Sequence, residues 1–190
     1  MKGWLPLLQA WMEDAQRLFD IHREAWIALG MPDVDELRLV RPDSVGVARL
    51  LSLRDSGLDP EILSFYSTTD GWPLWLGSFL CKVVRSREVG AFPDVYPDAF
   101  EIAMSSAPHR RTVSATSTDL SVDDLRTALV LSAPDAREIV LAFETGETCL
   151  YFFDGMQLFV DFYSFMEHRG NEIRDWLSEM LASREGEAAV

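Results

Sequence analysis

Four apolar runs in the C-terminal half, separated by turn chemistry, constrain this chain more than any other feature. Residues 125–131, 138–143, 148–153 and 156–160 are strand-like, and between them stand Ala133-Pro134-Asp135, Thr145-Gly146 and Asp154-Gly155. Runs of Val, Ile, Phe and Tyr between such turns predict four strands joined in an antiparallel meander. Several runs are apolar at successive positions, so the sheet needs cover on both faces, and helices must supply it. The fold class that follows is α+β, a mainly antiparallel sheet packed by N-terminal and C-terminal helices.

Helix signals flank the meander. Leu8, Trp11, Met12, Ala15, Leu18, Phe19, His22, Ala25, Trp26 and Leu29 make one apolar stripe, predicting a long amphipathic helix over 7–29 that stops at Gly30 and Pro32. This helix is an extension within a single expected domain, 1–190. After a charged connection with a short extended piece at 37–40, a second helix over 44–54 is predicted to turn Val47, Ala48, Leu50 and Leu51 inward. Residues 58–72, LDPEILSFYSTTDGW, carry a complete helix instruction. Asp59 is the cap, Pro60 the first helical residue, Ile62, Leu63, Phe65 and Tyr66 the buried face, and Gly71 the stop.

Beyond that helix, alternation at Phe79, Cys81 and Val83 predicts a strand continuing toward Val89. The prolines of 91–97 predict an irregular surface crossing, and 104–121, rich in Ser and Thr around His109, Arg110 and Arg111, a long exposed loop. Ser164 with Glu167 reads as a capping box opening the last helix, whose stripe is Phe165, Met166, Ile173, Trp176, Leu177, Met180 and Leu181. Gly170 is expected to interrupt that helix, and 184–190 to fray.

Seventeen Lys and Arg against thirty-one Asp and Glu give a net charge of −14. That field repels phosphate backbones and anionic lipid, so neither nucleic acid nor membrane is an expected partner. No apolar run approaches the ~20 residues that cross a bilayer, and acidic Glu13 and Asp14 break any secretory pattern, so the expected compartment is the cytoplasm. Cys81 and Cys149 lie in apolar runs and read as buried thiols.

Phosphate-loop, dinucleotide, zinc-protease and nucleophile-elbow motifs are absent from the sequence. His22 sits on a core stripe, His109 in the loop and His168 on the last helix; Cys81 with His109 is one conceivable nucleophile and base. No metal-ligand spacing and no cofactor motif is present. Asp94 and Asp98 beside Tyr96, and the pair Asp123 and Asp124, suit either acid/base work or a solvated acidic face. The charge fits a third use, an acidic surface with aromatic anchors that captures a basic protein. The candidate contacts are Asp70, Trp72, Trp75, Asp94, Tyr96 and Asp98.

The order of these features resembles the SUKH superfamily, which includes the fungal cell-wall-synthesis regulator and bacterial toxin-immunity proteins. A leucine-proline helix ending at Asp-Gly is matched by Leu58, Pro60, Phe65, Tyr66, Asp70, Gly71 and Trp72, and a closing Ser-Phe helix by Ser164 and Phe165. The likeness spans 45–177. It implies a SUKH-like α+β fold and a non-enzymatic role, that of an immunity protein neutralising a basic, polymorphic toxin. The alternative it implies is a regulatory scaffold binding a cellular protein.

Overall fold

The computed structural model describes residues 3–28, 31, 34–53, 58–72, 82–106, 111–114, 122–132, 138–152 and 155–188. Its centre is a sheet; of the predicted turns Thr145-Gly146 is described, while 133–135 and Asp154 lie outside the described residues. In chain order the strands are β1 (Gly90–Ala91), β2 (Arg111–Ser114), β3 (Leu129–Val130), β4 (Glu138–Ala142), β5 (Thr148–Phe152) and β6 (Gly155–Phe159). Across the sheet the order is β1-β3-β4-β5-β6-β2. The expected four-strand meander is β3 to β6, antiparallel throughout, with Leu129 opposite Ala142 and Thr148 opposite Phe159. Gly146 turns the β4–β5 hairpin at φ +92°, a conformation that glycine adopts at little cost. The edge strand β2 instead runs parallel to β6, with Thr112 opposite Met156. It lies inside the stretch expected to be loop.

Side chains alternate between two cores, as the period of a strand requires. Ile139, Leu141, Cys149, Tyr151, Met156 and Leu158 face one way; Val140, Ala142, Leu150 and Phe159 face the other. Both faces are covered, so the molecule is three-layered and α+β. Cys149 is a buried thiol in this core, while Cys81 lies outside the described residues.

Helix α4 (Pro60–Thr68) follows its sequence instruction closely. Asp59 accepts a hydrogen bond from the Glu61 N–H at 2.9 Å, and Ile62, Phe65 and Tyr66 are buried. The chain leaves α4 through extended Thr69 and turns at Gly71, φ +91°, where a Cβ would press on the Val83 and Val84 carbonyls. Of the expected strand toward Val89, Phe79 and Cys81 lie outside the described residues, and the described part is a bridge at Val83 followed by a turn at 86–88. That turn is held by hydrogen bonds to the buried Asp70 carboxylate, which compete with strand pairing.

Helices α1 (Trp4–Ile21) and α2 (Arg23–Ala28) replace the single helix predicted over 7–29. The chain breaks at His22, φ −124° and ψ 39°, which lets Trp26 swing under Phe19 at 6.0 Å and become buried. α3 (Ser44–Ser52) buries Leu50, but Ala48 and Leu51, expected inward, are exposed; Asp43 caps it through the Val45 N–H at 3.0 Å. The crossing predicted at 91–97 is helix α5 (Phe92–Val95), followed by α6 (Pro97–Ser106). Each proline stands at the start of a helix, where its missing N–H leaves no bond unmade. The first half of the strand predicted at 125–131 is helix α7 (Val122–Thr127).

Helix α8 (Phe162–Ala188) begins two residues before Ser164, because Asp161 supplies the cap by accepting from the Ser164 N–H at 2.6 Å. It runs unbroken through Gly170 to Ala188, so the expected interruption does not occur, and 184–188 are helical. Phe162 and Phe165 close the core beneath α1 and α4, whereas Leu177 and Leu181 meet Leu18, Ala25 and Trp26 in a third, smaller core.

Candidate functional site

Helices α5, α6 and α7 form one layer over the sheet, and their outer side is acidic. The inner side is fixed by aromatic packing. Phe92 is fully buried, 5.6 Å from Phe100 and 5.9 Å from Tyr151, and its N–H donates to the Ala128 carbonyl at 2.8 Å. Outside, Asp94, Asp98, Glu101 and Asp123 are exposed and Asp124 half-buried, and the one cation that the described parts of these helices carry is Arg126, 3.9 Å from Asp123. Asp98, Glu101 and Ile102 share a face of α6 by helical spacing, and Ile102 is 44% exposed among them. A partly apolar, strongly negative ledge is a surface that a basic protein can both approach quickly and grip.

The structure divides the six candidate contacts. Asp94 and Asp98 lie together on this ledge. Tyr96 stands between them, half-buried, its hydroxyl donating to the Ser132 carbonyl at 3.3 Å, so it ties the ledge to the sheet rather than pointing outward. Asp70 is a correction: it is 6% exposed, and its Oδ1 accepts from the Ser86 N–H at 2.8 Å and from the Ser86 hydroxyl at 2.6 Å. Trp72 is another, 2% exposed, edge-on to Trp11 at 6.2 Å and paired with Val83 through both backbone groups. Both are buried because the left-handed turn at Gly71 folds the chain back under the 82–89 segment. Trp75 lies outside the described residues. Glu101 and Ile102 were missed by the sequence reading. Their helical spacing from Asp98 was visible, but Pro93 and Pro97 read as breakers instead of first-turn residues.

No family model, curated protein or solved structure matches this chain. The arrangement of its own residues therefore carries the functional argument. Among the described residues, no group of three or more His, Cys, Asp or Glu side chains is placed to hold a metal, and no helix is long and apolar enough to cross a membrane. His168 Nε2 stands 3.2 Å from Glu172 on α8, and His22 Nδ1, at the α1–α2 break, 2.9 Å from Glu185 of α8. His109 lies outside the described residues. A depression of about 520 Å³ runs along α1 past Met12, Gln16 and Asp20, open to solvent and away from the ledge.

One carboxylate is held above its ordinary range. Burial raises Asp59 first, and the negative charges of Asp161 and Glu61 raise it further, against hydrogen bonds from the Glu61 and Phe162 backbone that lower it. Its Oδ2 and the Glu61 Oε2 are buried without hydrogen-bond partners among the described residues. The sign follows by linkage: a folded-state value above the unfolded one favours folding below the usual carboxylate range, and this contribution is lost as pH rises through the folded value. Asp59→Asn keeps the cap and removes the charge. The melting temperature of this variant relative to the parent is expected to be higher at neutral pH than at about pH 4. A difference that is flat with pH, or reversed, refutes the assignment.

Proposed function

We propose that this chain is a non-enzymatic protein-binding module of the SUKH type, a cytoplasmic immunity protein that holds a basic toxin domain against the α5–α7 ledge. The single observation that carries the reading is the ledge itself. Asp94, Asp98 and Glu101 stand exposed with no cation beside them among the described residues, on helices fixed by a buried aromatic core and next to the exposed Ile102. Carboxylates in such a place repel nucleic acid and attract the groove of a nucleic-acid-directed toxin, filling the positions that phosphates would take. The residues of the resemblance, Leu58, Pro60, Phe65, Tyr66, Asp70 and Gly71, serve the fold in this scheme.

The test begins with the basic protein encoded beside this one, titrated against the purified chain by calorimetry. Replacing Asp94, Asp98 and Glu101 together by lysine is expected to weaken binding about 10–100-fold and to flatten its salt dependence. Equal affinity for the triple variant refutes the ledge as the contact. If no neighbouring basic protein binds at all, the regulatory-scaffold reading takes precedence over immunity.

A further inference from the structure

The opposite sign of charge gathers elsewhere on the same molecule. Of the chain's seventeen cations, six (Arg38, Arg41, Arg49, Lys82, Arg85 and Arg87) lie in 38–49 and 82–87, and all six are exposed. Hydrogen bonds bring these two segments together over α4's end. The Val40 N–H donates to the Thr69 hydroxyl at 2.9 Å, and the Asp70 N–H to the Val40 carbonyl at 3.1 Å. The Asp70 side chain in turn grips Ser86 between Arg85 and Arg87. Arg87 pairs with Asp43, and Arg49 Nη1 donates to the Val89 carbonyl at 2.6 Å. Gly46 lies so close to Ser86 that a Cβ would stand 1.9 Å from its hydroxyl. Within these segments, or hydrogen-bonded to them, the described carboxylates are Asp43, Glu88 and the buried Asp70, which leaves an excess of positive charge there on a chain of net −14.

We propose that this basic platform is a second docking surface, and that its occupant is an acidic segment of a protein. Three observations select that chemistry. Arg41, Lys82 and Arg85 make no side-chain ion pair among the described residues, Arg85 meeting the Glu88 carboxylate only through its backbone N–H at 2.9 Å, so their side-chain charge is available. Arginine forks match carboxylates in paired hydrogen bonds. Val45 and Ala48 on α3's outer face are exposed beside the arginines, Val45 at 62%, offering apolar contact that a bare anion would not use. A nucleic acid brings a line of phosphates but no aliphatic side chain to set against Val45 and Ala48. The platform is pre-formed: Asp70 and Ser86 fix the backbone beneath it, so little ordering accompanies binding. This surface is independent of the ledge and does not require the immunity reading.

The experiment uses the full chain and two labelled probes in fluorescence anisotropy, a peptide of repeating Glu-Glu-Leu and a single-stranded oligonucleotide of equal charge. The peptide is expected to bind at about 50 mM salt and to weaken several-fold by about 200 mM. Arg41→Glu with Arg85→Glu is expected to lower its affinity at least about tenfold with the melting temperature unchanged, whereas Arg184→Glu, at the far end of α8, leaves it as it was. The proposal is overturned if the peptide does not bind at low salt, if the double variant binds it equally, or if the oligonucleotide binds more tightly than the peptide.

Discussion

Trp4→Ala is expected to cost about 3–5 kcal/mol of stability, the range for deleting a buried indole, and to lower the melting temperature by about 6–20 °C. Trp4 is the first residue of α1, yet it is 2% exposed and ringed by Phe65 at 5.0 Å, Phe162 at 5.5 Å and Tyr163 at 4.9 Å. The three neighbours come from α4 and α8, so one side chain holds three helices together. Its Nε1 has no hydrogen-bond partner among the described residues, so the loss on removal is one of packing and apolar burial. Trp4→Phe separates these contributions: it keeps a ring in the site, discards an unsatisfied donor, and should cost less than half as much. Urea midpoints of the two variants decide the matter. A cost for Trp4→Ala under about 1 kcal/mol would mean that α1 is not docked on this core.

The second large effect has the opposite sign from the usual one. Gly→Ala inside a helix ordinarily stabilises by up to about 1 kcal/mol. At Gly170 it should destabilise by about 1–3 kcal/mol or more, because a Cβ there would lie 1.6 Å from Trp11 Cζ2 and 1.9 Å from Cε2. Neither atom belongs to a flexible tail; the indole is itself packed on Trp72. The absent side chain lets α1 press against α8. The partner substitution supplies the control. In a Trp11→Ala background the obstruction is gone, and Gly170→Ala should become neutral or stabilising, a coupling that a double-mutant cycle measures directly. If Gly170→Ala stabilises the parent protein, the contact between the two helices is not as described.

Both residues show how far sequence carries the fold. The meander was legible because each turn between its strands has chemistry that few other structures use, and α4 because cap, proline and stop stand at fixed offsets. Trp4 was not, since it precedes the first repeat of the apolar stripe and its partners lie at the far end of the chain. Gly170 read as an interruption because propensity weighs a glycine against the helix and cannot see an indole arriving from outside. Prolines 93 and 97 misled for a related reason: the same residue ends one helix and begins another, and only the neighbouring Phe92–Ala128 bond fixes which. Asp70 and Trp72 are expected contacts because a carboxylate beside a tryptophan suits an acidic surface with an aromatic anchor. That 82–89 folds back over them is a long-range fact with no local signature. Asp94 and Asp98 are exposed as expected, because exposure of a carboxylate is the default and the packing left that default in place.

The contact between Trp4 and Phe162 also sets a delay at birth. On the ribosome, α1 emerges well before the segment that completes its seat, and at about 5–20 residues per second the wait is on the order of ten to thirty seconds. For that interval Trp4 lacks Phe162 and Tyr163, and the aromatic core can close only once the start of α8 has emerged.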